Sequence, residues 1–209
     1  GFLIKAFEQK KQEVTQTASD EAELQAEVAE LKADFLAKPQ ALLHGDLHCG
    51  NVLVSHEEYK VIGAEFGCYG PIAFDAGTFI ASLILNLMTQ NPADSVSGRP
   101  YLSNQIDVFW QEFSAVFSTL MQKETKDQSF QNSLYQRRFL QQLWRDTIGY
   151  AGCELIRRTV GWAPAEELQK LTDAGFKLQA QSHLLTLGQD LIMQRQQMTP
   201  EQLLEKLAQ

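Results

Sequence analysis

The chain has 209 residues, of which 44% are hydrophobic and 21% are charged. This composition is typical of a soluble globular protein, and the length is enough for one domain with a sizeable core or for two small ones. The net charge of −8 argues against a nucleic-acid-binding protein, because such proteins need a basic surface to displace the counterions of the phosphates.

The sequence contains neither a signal peptide nor an apolar run as long as a membrane span, so we expect no membrane partner. Its three cysteines are Cys49, Cys68 and Cys153. Their number is odd and their spacing does not match a metal site, which argues against a disulfide or zinc framework. Reduced thiols are usual in the cytoplasm, where we therefore expect the protein to act.

Residues 5–37 are predicted to be helical, because they carry one apolar stripe at helical spacing. The stripe consists of Leu24, Val28, Leu31 and Phe35. The helix is predicted to end at Lys38, since a residue that precedes proline avoids the helical region.

The most distinctive stretch is His44-Gly45-Asp46-Leu47-His48-Cys49-Gly50-Asn51. Two short runs rich in β-branched residues follow it, at 52–54 and 59–62, and predict a β-hairpin. The second run opens onto Gly63-Ala64-Glu65. This order of loop, hairpin and acidic loop would present Asp46, Asn51 and Glu65 side by side.

The rest of the chain is predicted to be helical, with a loop at 91–100. Helix 74–90 is buried and begins near Asp75, where a carboxylate can cap the helix. Helix 102–123 has an inward stripe, whose members are Ile106, Phe109, Trp110, Phe113, Val116, Phe117 and Leu120. Helix 132–158 ends with Arg157 and Arg158, and a further helix pair places Leu178 and His183 at core or interface positions.

Three motifs point to one family. The pattern H-G-D-x-H-x-G-N resembles the catalytic loop of the aminoglycoside-phosphotransferase-like branch of the protein-kinase fold, in which an Asn follows the catalytic Asp by five positions. Residues 65–81 resemble the D-P-E-F-A-F-Y-G-P-M-G-F-D-I-G block of the 5-methylthioribose kinases. Residues 155–161, which contain Arg157 and Arg158, resemble the arginine pair with which that family contacts its sugar.

The resemblance implies a mainly α protein with a small β-hairpin, the C-terminal lobe of a protein-kinase-like (α+β) fold. Residues 1–40 would form leading helices, and residues 41–90 would form the catalytic loop, hairpin, metal loop and buried helix. Residues 91–209 would form a helical substrate-binding subdomain. No Gly-rich phosphate loop and no strand-borne Lys occur before Ala41, so we expect the N-terminal ATP lobe to be absent from this chain.

The resemblance also assigns roles to residues. Asp46 is the expected catalytic base, since a kinase needs a carboxylate to orient the attacking hydroxyl and accept its proton. Asn51 and Glu65 are the expected ligands of the Mg²⁺ that accompanies ATP. Taken alone, Asp46 could be a turn aspartate that bonds its own backbone.

Arg157 and Arg158, with Asp46, are expected to bind the substrate, because guanidinium forks suit hydroxyls and phosphates. A basic pair could also simply complement a helix C-terminus. Asp75 and His44 are expected to give structural support to the catalytic loop.

Position 63 departs from the family pattern. The family has Asp in a D-x-E motif where this chain has Gly63-Ala64-Glu65, and a hard divalent cation prefers carboxylate oxygens. The enzyme could be impaired, Glu65 and Asn51 could suffice, or the position could have been altered. These explanations stay open at the level of sequence.

The expected function is transfer of the γ-phosphate of ATP to the 1-hydroxyl of 5-methylthioribose in methionine salvage, by a complete enzyme that can form a homodimer. One alternative is a kinase for another small alcohol, such as an aminoglycoside, choline or homoserine, although the family-specific blocks argue against it. Another is an impaired, pseudokinase-like fragment, favoured by Gly63. A metal-dependent hydrolase that uses His44, Asp46 and His48 lacks a further ligand cluster.

Overall fold

The computed structural model describes residues 18–90, 98–161 and 163–208. The elements are α1 (Ala18–Ala37), β1 (Ala41–Leu43), β2 (Val52–Val54), β3 (Tyr59–Val61), β4 (Cys68–Gly70), α2 (Ala73–Thr89), α3 (Gly98–Glu124), α4 (Ser133–Val160), α5 (Glu166–Gln169), α6 (Ala174–Met193) and α7 (Pro200–Leu207). Short 3₁₀ turns lie at Cys49–Asn51, Ala64–Phe66 and Gln128–Gln131. The predicted mainly α fold class is confirmed. None of the helices in these ranges is both long and apolar enough to cross a lipid bilayer.

The core forms where α4 packs between α2 and α6. Ile84 on α2, Ile148 on α4 and Leu191 on α6 are fully buried. Helices α4 and α6 approach so closely that a Cβ built on Gly152 would lie 2.5 Å from the carbonyl oxygen of Gly188. Small residues therefore allow the two backbones to meet, and the helix that ends in the arginine pair lies at the centre of the molecule.

Several predicted helices are confirmed. Leu24, Val28 and Leu31 of α1 are buried, as their spacing predicts. Helix α2 begins and ends within one residue of the predicted 74–90, and α4 contains the whole predicted segment 132–158 except its first residue, the N-cap Asn132. The predicted helical segment 5–17 and most of the predicted loop, 91–97, lie outside the described residues.

Three predicted interior positions are wrong. Val116 and Leu120 on α3 are 54% and 51% exposed, and Leu178 on α6 is 68% exposed. His183 is also exposed, which excludes a core position, and its predicted interface position stays a prediction. In the last turns of α3, the ring of Phe117 stacks on that of Phe139, whereas Val116 and Leu120 are exposed. The apolar stripe of α3 therefore extends beyond the surface that covers it.

The predicted hairpin forms between β2 and β3, in the register Val52↔Val61, Leu53↔Lys60 and Val54↔Tyr59. A second antiparallel pair, β1 with β4, was not predicted. One face of the hairpin carries Val52, Val54, Tyr59 and Val61, since residues two apart or directly paired share a face. Val54, Tyr59 and Val61 are 77%, 76% and 50% exposed, so this apolar hairpin face has no cover within the described residues.

A buried cation joins the first helix to the core. Arg195, which follows α6, is 3% exposed and binds Glu27 at 2.5 Å, Glu30 at 2.7 Å and Asp146 at 3.3 Å. Burial raises the pKa of Asp146, although nearby cations and a hydrogen bond act in the opposite direction. Arg195 therefore supplies a cationic partner to the largely buried carboxylates of Glu27 on α1 and Asp146 on α4.

We expect Arg195→Met to lower the free energy of unfolding by about 3 kcal/mol, because removing one member of a buried ion pair leaves an uncompensated charge. Urea unfolding followed by circular dichroism measures this change. Lys170→Met is the matched control, since Lys170 pairs with Glu166 at a surface where both side chains are about 75% exposed, and such pairs contribute less than about 1 kcal/mol. Equal losses in the two variants would contradict the assignment.

Candidate active site

Asp75 fixes the position of the predicted catalytic loop. It lies in the first turn of α2, and its carboxylate accepts hydrogen bonds from the backbone N–H groups of His44 at 2.5 Å and Gly45 at 3.0 Å. Gly45 has a φ of +85°, and a Cβ there would lie 2.3 Å from the carbonyl oxygen of Phe66. The loop is thus held between the core helix and the acidic loop, in a conformation that favours glycine.

His44 connects the same loop to the hairpin. Its Nδ1 accepts a hydrogen bond from the backbone N–H of Asp46 at 3.3 Å. The proton of a neutral ring therefore lies on Nε2, which donates to the carbonyl oxygen of Ile62 at 2.8 Å. Both ring nitrogens are engaged by backbone groups, so His44 is placed to support the loop.

Asp46 and Asn51 lie close together. The Asn51 side-chain amide donates to the carbonyl oxygen of Asp46 at 2.9 Å, and the backbone carbonyl of Asn51 accepts from Ile62 at 2.9 Å. The carboxylate of Asp46 lies 3.6 Å from His48 Nε2, and its side chain is 38% exposed. These contacts hold the backbone of Asp46 and leave its carboxylate accessible to a substrate.

The described residues do not support the hydrolase alternative. They contain no group of three or more His, Cys, Asp or Glu side chains that could hold a metal ion. His48 instead caps the 3₁₀ turn Cys49–Asn51, with Nδ1 accepting from the backbone N–H of Gly50 at 3.1 Å.

Arg157 lies within electrostatic range of Asp46, although the two residues are more than 100 positions apart. Its guanidinium binds both carboxylate oxygens of Glu154, at 2.6 and 2.5 Å, and its side chain is 16% exposed. Burial alone would lower the pKa of Arg157, but the hydrogen bonds and charge of Glu154, with the charge of Asp46, raise it overall. Two of the predicted substrate-binding residues thus lie within electrostatic range of each other. Arg158 follows in the same turn and is half-buried.

Position 63 faces the predicted metal ligand Asn51. Gly63 has a φ of +82°, and a Cβ there would lie 3.0 to 3.2 Å from the side-chain atoms of Asn51. Since Asn51 uses its amide nitrogen on Asp46, its Oδ1 remains available beside this space. Glu65 is exposed in the next 3₁₀ turn. An amide oxygen and a carboxylate are groups that bind magnesium together with phosphates and water, so the metal role of Asn51 and Glu65 stays a prediction.

The sequence analysis missed three side chains around this site. Ser82 on α2 accepts from the backbone N–H of Cys49 at 3.0 Å and lies 3.1 Å from its sulfur. Glu154 holds Arg157, and Glu167 on α5 lies close enough to influence Cys49. Glu154 and Arg157 are three residues apart on a helix, and this spacing could have predicted their ion pair. Ser82 stands within an apolar helix face and Glu167 in a short polar segment, so neither has such a signal.

We expect Asp75→Ala to release the loop and to lower the free energy of unfolding by about 2 to 4 kcal/mol, because two hydrogen bonds to a carboxylate are lost. Hydrogen exchange at the amides of His44 and Gly45 should become much faster. Asp107→Ala is the control, since Asp107 bonds only the side chain of Gln111 among the contacts described on exposed α3. Unchanged exchange at His44 and Gly45 in Asp75→Ala would show that the loop is held by other contacts.

Comparisons with known proteins identify related sequences. Residues 2–95 match the model of a phosphotransferase enzyme family, named APH. The chain is 42% identical to the methylthioribose kinase of Yersinia enterocolitica over 185 residues, which are 87% of this chain and 46% of that protein. It is also 42% identical to the methylthioribose kinase of Pectobacterium carotovorum over 182 residues, or 85% of this chain and 46% of that protein.

The chain therefore spans about half the length of the curated relatives it matches. The segment that matches the phosphotransferase family contains the loop from His44 to Asn51 and the whole of α2. The similarity to methylthioribose kinases extends over most of the chain. These matches confirm the resemblance seen in the sequence: the chain is homologous to methylthioribose kinases and has the protein-kinase-like fold of the phosphotransferase enzyme family.

Proposed function

We propose that this chain is the catalytic half of an ATP-dependent kinase that phosphorylates the 1-hydroxyl of S-methyl-5-thioribose, a step of methionine salvage. The observation that supports the proposal is that the charge of Asp46 acts on Arg157, so a carboxylate and a guanidinium from distant parts of the chain lie within electrostatic range of each other. A carboxylate can accept the proton of a sugar hydroxyl, while a guanidinium can hold a neighbouring hydroxyl or the transferred phosphate. The names of the relatives supply the sugar.

In this proposal Asp46 orients the attacking hydroxyl and takes its proton. The loop geometry suits that task, because the backbone around Asp46 is bonded to His44 and Asn51 while the carboxylate stays accessible. Arg157, with Arg158 beside it, binds the substrate from the end of α4. Glu154 fixes the guanidinium of Arg157, so little conformational freedom is lost when a substrate binds.

Asn51 and Glu65 would hold the magnesium ion together with the phosphates of ATP, and such an ion neutralises charge on the transferring phosphoryl group. Because Gly63 has no carboxylate, the site offers the magnesium ion less negative charge than the family's D-x-E motif would. A catalytically impaired enzyme is therefore a second candidate, and the glycine opposite Asn51 is the observation that favours it.

The apolar hairpin face is a candidate contact surface for the N-terminal ATP-binding lobe of a complete kinase. Exposed apolar patches mark interaction sites, and an isolated two-stranded hairpin is only marginally stable. We propose that an ATP-binding lobe covers this face in the complete enzyme, with residues 41–90 facing that lobe and residues 91–209 contributing the substrate side. Action in the cytoplasm suits the three free thiols, and the homodimer stays a prediction.

The proposal is tested by Asp46→Asn in the full-length protein that contains this chain. We expect kcat for methylthioribose to fall by about 10² to 10⁴, the usual contribution of a positioned acid or base. A coupled assay of ADP release measures it, with choline and kanamycin as competing acceptors. Glu112→Gln, on the exposed surface of α3, is the control. Equal turnover of choline or kanamycin by the unaltered enzyme would contradict the sugar assignment.

Gly63→Asp tests the metal side. We expect both Gly63→Asp and Gly63→Ala to be destabilised by about 1 to 2 kcal/mol, because a side chain is strained at positive φ. Only the aspartate should increase the rise in melting temperature that MgCl₂ and ATP produce, since it adds a carboxylate beside Asn51. The same response in both variants would show that position 63 does not face the metal.

A further inference from the structure

The catalytic loop is attached to helix α2 at a second point, seven residues along the helix from Asp75. Ser82 is 6% exposed, and its Oγ accepts a hydrogen bond from the backbone N–H of Cys49 at 3.0 Å. Residues seven apart on a helix lie on the same face, about 10 Å apart along the axis. One face of α2 therefore carries both side chains, and each bonds backbone N–H groups of the same loop.

The hydroxyl of Ser82 acts as an acceptor toward the loop. Its own proton is used on α2, where Oγ donates to the carbonyl oxygen of Phe79 at 2.8 Å, a bond that serine commonly makes to the preceding turn of a helix. The sulfur of Cys49 also lies 3.1 Å from Oγ, but a thiol sulfur is a weaker acceptor than a carbonyl oxygen. The lone pairs of Ser82 consequently face the loop and receive the backbone N–H of Cys49.

The two attachment points lie on either side of Asp46. Asp75 bonds the residue directly before it, and Ser82 bonds Cys49, three residues after it. Cys49 begins the 3₁₀ turn that ends at Asn51, and the side-chain amide of Asn51 returns to the carbonyl oxygen of Asp46 at 2.9 Å. The backbone of Asp46 is thus fixed from its N-terminal side through Asp75 and from its C-terminal side through Ser82.

We propose that Ser82 is a positioning residue of the phosphoryl transfer, which fixes the C-terminal half of the catalytic loop and, through it, the backbone of Asp46. This inference rests on the proposed kinase function and deepens it. The carboxylate of a base must lie within hydrogen-bond distance of the attacking hydroxyl, and a misplacement of about 1 Å can lower the rate about 10²-fold. Since Arg157 and Arg158 bind the substrate from another helix, the loss of the Ser82 hydroxyl should lower kcat and leave KM for the sugar unchanged.

The test compares Ser82→Ala with Thr89→Val in the full-length protein that contains this chain. Thr89 is the matched control, because its hydroxyl bonds carbonyl oxygens of α2 and has no described contact with the loop. Hydrogen exchange resolved at single amides measures how firmly each part of the loop is held. We expect exchange at Cys49 to become about 10- to 100-fold faster in Ser82→Ala, because a backbone donor loses its acceptor. Thr89→Val should exchange there as the unaltered protein does.

The amide of His44 separates a local release from a general loss of stability. Asp75 holds this amide, so its exchange should stay unchanged in Ser82→Ala and become faster in Asp75→Ala. In the assay of ADP release with methylthioribose, run well below the melting temperature of every variant, Ser82→Ala should lower kcat by about 10- to 100-fold without a change in KM. Ser82→Thr keeps a hydroxyl that can bond the preceding turn, and it should restore both the slow exchange at Cys49 and kcat.

The opposite results would overturn the inference. Unchanged exchange at Cys49 in Ser82→Ala would show that other contacts fix the turn, and equal acceleration at His44 and Cys49 would limit Ser82 to a role in overall stability. An unchanged kcat despite faster exchange at Cys49 would show that catalysis does not depend on this attachment. Ser82→Thr that behaves like Ser82→Ala at an unchanged melting temperature would show that the hydroxyl is not the group that matters.

Failure of the kinase proposal would look different. In that case the unaltered protein would release no ADP with methylthioribose, choline or kanamycin, and the catalytic role of Ser82 would be rejected with that proposal. Exchange at Cys49 requires no substrate, so it would still decide whether Ser82 holds the turn.

Discussion

Two hydrogen bonds from consecutive backbone N–H groups to the carboxylate of Asp75 determine where the proposed catalytic loop lies. Most residues of helix α2 are buried, so the loop takes its position from a helix of the core. His44 and the amide of Asn51 bond the backbone at Asp46, His44 also bonds Ile62 in the hairpin, and Ser82 on α2 accepts from Cys49. What stays available is the carboxylate of Asp46, the group with which a kinase of this kind would begin its chemistry.

The second half of the site comes from α4. This helix has 28 residues, a length of about 42 Å at 1.5 Å per residue, and its middle is buried between α2 and α6. The packing of this buried middle part fixes the position of the last turn. Glu154 then fixes the guanidinium of Arg157 in that turn. Packed helices thus hold Arg157 within electrostatic range of Asp46, although the two residues lie far apart in the chain.

Local patterns predicted much of the fold, and nonlocal contacts explain what they missed. The apolar stripe that includes Leu31 predicted a helix from its period, and the motif around Asp46 predicted the loop. The exposure of Leu120 depends on how far the neighbouring elements extend, which periodicity does not report. Arg195 has partners as many as 168 positions away, and the surroundings of Glu167 depend on how α5 packs. The roles assigned to the site residues remain predictions that rest on the motifs.

The apolar hairpin face has a consequence for handling the protein. Three-residue strands with open edges and exposed Val54 and Tyr59 offer a template on which another molecule could add a strand. At neutral pH the net charge of −8 keeps molecules apart by mutual repulsion. Acidification neutralises carboxylates and weakens that repulsion, so isolated chains should aggregate through the hairpin before their helical core melts.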